Sequence, residues 1–209
     1  MLLSACGEQR REPELNIIDD KYRNWYEVFV YSYYDSDGDR IGDLTGLAEK
    51  LDYISDLGMN GIWLMPVMPS PSYHKYDVTD YYDIDPQYGT LENFSAMLEK
   101  AHSLGIDVII DLVLNHTSNE HPWFISAKSG EDSEYRDWYN WSDSPQDGYA
   151  KAGDGYYECR FVNTMPDLNL DNPEVRAEIK NILRFWLEDM GVDGFRLDAV
   201  TSYYTGNVE

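Results

Sequence analysis

The sequence predicts an α/β protein that forms the first half of a (β/α)8 TIM barrel, about strands 1–4, with a small subdomain inserted after strand 3. An internal repeat carries this prediction: LGMNGIWLMP from Leu57, LGIDVIIDLV from Leu104 and MGVDGFRLDA from Met190 align without gaps. In each segment a glycine follows an amphipathic stretch and precedes an apolar run, which is typical of a helix end followed by a buried strand. This alternation with short turns indicates βαβ units and a parallel sheet.

The spacing of the repeats predicts the insertion. The repeat glycines are Gly58, Gly105 and Gly191. The second interval is much longer than the first, and its surplus falls in a polar, aromatic stretch after the third strand. A whole barrel takes about 250 residues, so this chain of 209 residues accommodates only part of one. The predicted division is a polar tether at 1–20, a partial barrel at 21–116 and 165–209, and an inserted subdomain at 117–164.

Three amphipathic helices and one further strand complete the prediction. The apolar run from Trp25 to Val30 predicts the first strand. Asn172 is suited to the N-cap of the third helix, and Pro173 to its first turn. The side chains predicted to face the core are Leu44, Leu47, Leu51, Ile54 and Leu57 in the first helix, Leu91, Phe94, Met97, Leu98 and Ala101 in the second, and Val175, Ile179, Ile182 and Trp186 in the third.

Composition limits the function classes. Apolar residues make up 43% and charged residues 26% of the chain, as in a globular protein. The formal net charge of −23 argues against a nucleic-acid partner, because phosphates require a basic surface. The 18 tyrosines and 6 tryptophans supply flat rings that could stack on a sugar. The alternative is that these rings are surface residues without a ligand.

The N-terminus carries a candidate lipidation signal. Leu3-Ser4-Ala5-Cys6 is similar to the lipobox at which bacterial lipoproteins are cleaved and acylated on cysteine. Only Met-Leu-Leu precedes this motif, so either the true start lies upstream or the match arises by chance. With Cys159 as the second cysteine, no disulfide framework is expected. We expect an extracellular or cell-surface protein, in preference to a cytoplasmic one, with membrane attachment only through a lipid on Cys6.

Charged side chains occur at the predicted strand ends. In GVDGFRLDAV, Arg196 and Asp198 face the same side of a strand, because side chains two residues apart point the same way. Burying such ions costs several kcal/mol each unless they are paired. In a barrel the C-terminal strand ends form the active site. The ends of strands two and three, HKYD and DLVLNH, are also polar.

A dense acidic loop follows the first strand. Four carboxylates occur within nine residues of DSDGDRIGD, at Asp35, Asp37, Asp39 and Asp43. Oxygen ligands at this density suit Ca²⁺, or with less preference Mg²⁺. The loop does not match an EF-hand, because the sixth position is an arginine and the twelfth a glycine. The alternative is a solvated acidic turn without a metal.

Five motifs in order resemble the α-amylase family, glycoside hydrolase family 13, near its neopullulanase and oligo-1,6-glucosidase branch. They are DSDGDRIGDL, YDVTDY, DLVLNH, MPDLNL and GFRLDA. The resemblance implies a retaining α-glucan or α-glucoside hydrolase, with Asp198 as nucleophile, Arg196 beside it and His116 bonding the sugar. It also implies that Tyr76 stacks on that sugar beside Asp77, and that the Ile41 carbonyl joins the metal ligands. Asp111 and Asn115 look like supporting or metal-adjacent residues.

Some features leave the reaction open. Thr201 and Ser202 stand where starch-cleaving members often have Lys-His, and MPDLN lies between the patterns of 1,6-cleaving and neopullulanase-like enzymes. The resemblance places the general acid/base on a fifth strand, so we expect an incomplete N-terminal fragment without activity of its own. The alternatives are a glucan transferase or sucrose isomerase of the same family, and a non-catalytic glucan-binding relative. An intact Asp198, Arg196 and His116 argues against the last.

Overall fold

The computed structural model describes residues 23–203. The predicted tether, with Cys6, therefore lies outside the described residues. In chain order the strands are β1 (Trp25–Val28), β2 (Gly61–Leu64), β3 (Asp107–Leu112), β4 (Trp141–Ser142), β5 (Tyr149–Ala152), β6 (Gly155–Glu158) and β7 (Gly194–Leu197). The α-helices are α1 (Leu44–Asp56), α2 (Leu91–Ser103), α3 (Pro122–Ser129) and α4 (Pro173–Arg184).

The main sheet is parallel, with strand order β1-β2-β3-β7. Neighbouring strands pair in register, with Trp25 opposite Gly61, Gly61 opposite Asp107, and Ile109 opposite Gly194. A helix lies between each strand and the next along the sheet, and the principal apolar core joins side chains from the strands and from α1, α2 and α4. This open parallel sheet confirms the predicted first half of a (β/α)8 barrel.

The polar residue two positions after each repeat glycine binds a group at or just before the start of another strand of the sheet. Asn60 accepts a hydrogen bond on Oδ1 from the backbone N–H of Asn24 at 2.7 Å. Asp193 accepts one on Oδ2 from the N–H of Val108, also at 2.7 Å. Asp107, at the same repeat position, forms an ion pair with Arg23. The repeat therefore sets the register at the N-terminal edge of the sheet as well as the order of the elements.

The helices begin and end close to the predicted positions. The three repeat glycines have φ between 71° and 81°, a left-handed conformation in which a side chain would be strained. Asn172 caps α4 through the N–H of Glu174, and Pro173 follows it. The α-helix ends at Arg184, and the chain continues as a π-helical turn, Phe185–Asp189, that carries the buried Trp186. Within residues 23–203 no helix is both long and apolar enough to cross a membrane.

Two details differ from the prediction. Leu57, predicted to face the core, is 47% exposed because it is the C-cap of α1, where the chain turns away from the helix face. The first strand ends at Val28, two residues before the predicted end. There a 3-10 turn forms, in which Ser32 N–H bonds the Phe29 carbonyl and Tyr33 N–H bonds the Val30 carbonyl.

The chain between β3 and α4 forms a second layer. Strands β4, β6 and β5 make an antiparallel sheet in that order, next to the short helix α3. Aromatic and aliphatic side chains of this segment make a separate apolar cluster. Its buried members are Phe124, Ala127, Tyr139, Tyr157, Cys159, Leu168, Leu170 and Val175. The contribution of Val175 shows that α4 packs against this layer as well as against the main sheet.

Candidate active site

Arg196 lies between two carboxylates at the C-terminal edge of the main sheet. Its Nη1 donates to Asp198 Oδ1 at 2.5 Å, and to the two carboxylate oxygens of Asp111 at 3.1 and 3.2 Å. Asp111 on β3 is the register partner of Arg196 on β7, so the parallel pairing itself brings them together. The two charges embedded in the strand are therefore paired, which offsets the cost of their partial burial.

Asp111 is completely buried beneath this pair. The Tyr76 hydroxyl donates to its Oδ2 at 3.0 Å, and the indole N–H of Trp63 donates at 3.3 Å. Burial raises the pKa of Asp111 to about 6, although Arg196 and the Tyr76 hydroxyl favour its ionised form. The Arg196 guanidinium also lies 5.1 Å from the Trp63 ring centre. Asp111 thus joins three neighbouring side chains and holds Arg196 beside Asp198.

The loop after β2 supplies Tyr76 and Asp77. Tyr76 is partly buried, and burial together with the Asp111 charge raises the pKa of its hydroxyl, so it remains a hydrogen-bond donor. Asp77 is 5% exposed. Its Oδ1 accepts hydrogen bonds from the hydroxyls of Ser70, at 2.7 Å, and Ser72. The two side chains are thus held by different partners, one at the sheet edge and one within the loop.

His116 follows β3 and is buried. Its Nδ1 lies 3.3 Å from the amide nitrogen of Asn115, while its Nε2 has no hydrogen-bond partner among the described residues. Burial lowers the pKa of His116, with the Asp198 charge acting in the opposite direction. The ring of Phe161, from the second layer, lies 5.3 Å away. A neutral imidazole with one free ring nitrogen is suited to bonding a neutral hydroxyl.

Three of the predicted metal ligands converge in the acidic loop. Carboxylate oxygens of Asp35, Asp37 and Asp39 lie within 4.8 Å of one another. Backbone N–H groups of Gly38 and Arg40 lower the pKa of Asp35. The donor set is made of hard oxygens and fits Ca²⁺.

The fourth predicted ligand of that loop is engaged elsewhere. Asp43 caps α1 by accepting from Gly46 N–H at 2.7 Å, and it also accepts from the backbone and the hydroxyl of Ser36 at 2.8 Å. Ile41 donates its N–H to Asp39 Oδ1 at 2.7 Å. The structure therefore groups the first three acids and gives Asp43 a structural role.

The structure brings Asp198, Arg196, Tyr76 and Asp111 into direct contact. The motifs did not predict Trp63 or Phe161 as part of this site. An indole N–H in an otherwise apolar strand was the available signal for Trp63, because a buried tryptophan needs an acceptor. Phe161 carried no signal, since its place next to His116 depends on how the insertion folds back.

A cleft of about 1030 Å³ lies between the second layer and α4. Asn115, Asp167 and Tyr203 border it, and Asp198 does not. Asp167 is buried, and burial raises its pKa to about 7. The chemistry identified above lies at the sheet edge, so we place the candidate active site there and not in this cleft.

Comparison with known proteins gives concordant results. The family model described as "Alpha amylase, catalytic domain" matches residues 27–208. Alpha-amylase 3 of Dictyoglomus thermophilum is 56% identical over 189 residues, which cover 88% of this chain and 38% of that protein. An oligo-1,6-glucosidase of Parageobacillus thermoglucosidasius is 43% identical over 191 residues, which cover 84% of this chain and 34% of that protein.

A solved structure agrees with these sequence matches. Eubacterium rectale Amy13B superposes with a TM-score of 0.86 at 56% identity, over 93% of this chain and 40% of that one. The chain thus spans between about a third and two fifths of the length of these similar proteins.

Proposed function

This chain belongs to the family of α-amylase catalytic domains, and we propose that it supplies the nucleophile half of a retaining α-glucan or α-glucoside hydrolase. The observation that carries the proposal is the Asp111–Arg196–Asp198 arrangement at the C-terminal sheet edge, with Asp198 Oδ1 2.5 Å from the guanidinium. The side chain of Asp198 is 19% exposed, so it is accessible while Asp111 below it is not.

The proposed chemistry follows from these contacts. An Asp198 oxygen attacks the anomeric carbon and forms a glycosyl ester as the bond to the leaving oxygen breaks, and water then hydrolyses that ester. The leaving oxygen takes its proton from a second carboxyl group, which the resemblance assigns to a fifth strand. Arg196 orients Asp198, because its Nη1 donates a hydrogen bond to Asp198 Oδ1. His116 Nε2 and the Tyr76 ring would contact the sugar.

The test traps the proposed intermediate. In a chain extended through the eighth barrel strand, 5-fluoro-α-glucosyl fluoride should label the peptide that contains Asp198, as detected by mass spectrometry. Asp198→Asn should abolish both the label and the turnover of maltooligosaccharides. Asp189→Asn, a change of the same kind at an exposed site on the π-helical turn, should leave both intact. Labelling of any other residue would overturn the assignment.

We further propose that the acidic loop binds Ca²⁺ through Asp35, Asp37 and Asp39, with the Ile41 carbonyl and Asp43 completing the site on rearrangement. The convergence of three carboxylates supports this proposal. A bound ion would offset the repulsion among them and stabilise the protein by mass action. Calorimetric titration should show saturable Ca²⁺ binding that Asp37→Ala removes. Absence of such binding in the unmutated protein would contradict it.

We also propose a cell-surface location through a lipid on Cys6. The support is the Leu3-Ser4-Ala5-Cys6 motif alone. An expressed gene with its native leader should place the protein in the membrane fraction, and Cys6→Ser should release it. An unlipidated protein recovered from the cytosol would contradict this location.

A further inference from the structure

The hydroxyl of Tyr81 holds the turn of the chain that carries His116. Its oxygen lies 2.8 Å from the carbonyl oxygen of Val113 and 3.0 Å from that of His116, and it is the donor to both. One proton is therefore shared between two carbonyls that enclose the segment from 113 to 116. The second of these carbonyls belongs to the very residue whose imidazole lies in the candidate active site.

Tyr81 is itself fixed from several sides. It is 1% exposed, and its ring stacks on that of Trp123 with centres 5.7 Å apart and planes at 21°. The ring of His121 also lies 5.7 Å away. The backbone carbonyl of Tyr81 accepts a hydrogen bond at 2.8 Å from the indole N–H of Trp186, on the π-helical turn after α4. Burial raises the pKa of the Tyr81 hydroxyl well above its ordinary value, so the hydroxyl stays protonated and remains a donor.

The second layer binds the same segment from its other side. The N–H of Leu168 donates to the carbonyl of Asn115 at 2.8 Å, and the N–H of Thr117 donates to the carbonyl of Pro166 at 3.1 Å. These bonds alternate along the chain with the two from the tyrosine hydroxyl. A single methylene joins the imidazole of His116 to its backbone, so a shift of this backbone moves the ring with it.

We propose that Tyr81 is a positioning residue for the proposed reaction, and that it sets the place of the His116 imidazole through the backbone carbonyls of Val113 and His116. The inference rests on the proposed function, in which His116 bonds the sugar. A misplacement of about 1 Å in an active site can cost about 10²-fold in rate. Loss of the Tyr81 hydroxyl should therefore slow turnover more than it weakens the binding of substrate.

The experiment compares Tyr81→Phe with Tyr82→Phe in a chain extended through the eighth barrel strand. Tyr81→Phe keeps the buried ring and removes only the donor. Tyr82 is the matched control, because its hydroxyl also makes a hydrogen bond of 2.8 Å, but to Glu178 on α4. Below the onset of thermal unfolding, Tyr81→Phe should lower kcat for maltotriose at least about tenfold and change KM less than about twofold. Tyr82→Phe should change neither constant.

A spectroscopic measurement separates positioning from a general loosening of the fold. In proteins labelled with ¹⁵N-histidine, Tyr81→Phe should shift the ring nitrogen resonances of His116. The resonances of His102, which bonds Asp193 at the N-terminal edge of the main sheet, should not move. Incorporation of 4-aminophenylalanine at position 81 keeps an N–H donor there, and it should recover most of the lost kcat together with the native His116 resonances.

The outcomes separate this inference from the proposed function. Native kcat and native His116 resonances in Tyr81→Phe would overturn the positioning role, and so would equal effects in Tyr82→Phe or a shift of His102. If Tyr81→Phe does not fold, 3-fluorotyrosine at position 81 changes the strength of the donor and keeps the hydroxyl, and unchanged His116 resonances would then overturn the role. An unmutated protein without turnover would overturn the proposed hydrolase, while a shift of His116 alone would still support its positioning by Tyr81.

Discussion

Asn115 determines which nitrogen of His116 carries the proton. The Asn115 amide nitrogen lies 3.1 Å from Asp167 Oδ1 and 3.3 Å from His116 Nδ1. An amide N–H can only donate, so Nδ1 of the neutral ring accepts and the proton is assigned to Nε2. Nε2 is buried, and no hydrogen-bond partner of good geometry lies at it within residues 23–203. One amide therefore selects the tautomer of the ring that the proposed function places against the sugar.

The tautomer can be tested directly. In the unmutated protein, ¹⁵N-detected NMR of labelled histidine should show His116 as the Nε2–H form. Asn115→Leu removes the donor to Nδ1 and should give a mixture of tautomers. Asn140→Leu, which removes an amide bonded to Glu158 at 2.8 Å in the second layer, is the control and should leave His116 unchanged. A pure Nε2–H signal in Asn115→Leu would show that another group sets the tautomer.

Asp111 should make the protein less stable as pH rises from about 4 to about 6. Its pKa in the folded protein is about 6, whereas an unfolded aspartate titrates near about 4. Between these values the folded state binds more protons than the unfolded state, so the free energy of unfolding falls with rising pH. The stabilising contribution is complete below about pH 4 and is lost above the folded pKa.

Comparison with Asp111→Asn isolates this effect. The difference in unfolding free energy between the two proteins, from urea titrations at several pH values, should fall by roughly 3 kcal/mol across the window. A difference that does not change with pH would show that Arg196 keeps Asp111 ionised throughout.

At the scale of elements, a buried ion pair holds the loop that carries Tyr76 and Asp77. Lys75 is 1% exposed and has a φ of 64°, unusual for a residue with a side chain. Its Nζ lies 2.8 Å from Asp85 Oδ2, which also accepts from Ser70 N–H at 3.1 Å. Ser70 in turn bonds Asp77. Asp85, which precedes α2, thus holds the loop at two places, through Ser70 and through Lys75.

Breaking this pair should be costly. Lys75→Met leaves Asp85 buried without its cation and should lower the unfolding free energy by about 3–5 kcal/mol. Lys75→Met combined with Asp85→Leu should recover much of the loss, because the uncompensated charge is then gone. Lys100→Met, which breaks a surface pair with Asp52, is the control and should cost under about 1 kcal/mol. Additive losses in the double variant would contradict the coupling.

The sequence predicted the helices and strands better than this loop. The repeat glycines and the periodic apolar residues give the element order directly, because they reflect local geometry. A lysine in a polar stretch is instead expected to be solvated. The burial of Lys75 depends on Asp85 and Gln87, the latter 2.7 Å from Nζ, which come close only when the loop closes. Local patterns do not contain that contact.

At the scale of the whole molecule, the parallel topology determines which residues meet. The ends of β3 and β7 are neighbours in the sheet. The predicted strand order was therefore enough to place Asp111, Arg196 and Asp198 at one edge. Phe161 and Asp167 lie in the long connection between those strands, and their positions follow from packing within the second layer. Sequence therefore predicted the barrel side of the site and not the side supplied by the insertion.

Residues 1–209 alone should hydrolyse no α-glucoside, although they contain Asp198. Retaining hydrolysis needs two carboxyl groups about 5–5.5 Å apart, one of which protonates the leaving oxygen. Asp111 shares Arg196 with Asp198, but it is fully buried and its oxygens are engaged by Arg196, Tyr76 and Trp63, so it cannot reach a substrate. Loss of the acid typically costs at least about 10²-fold in rate.

Extension through the eighth strand should give turnover of maltooligosaccharides in a reducing-sugar assay, and Asp198→Asn should abolish it there. Comparable rates for the 209-residue chain and the extended one would mean that an acid within these residues acts locally, and the assignment of roles would be wrong.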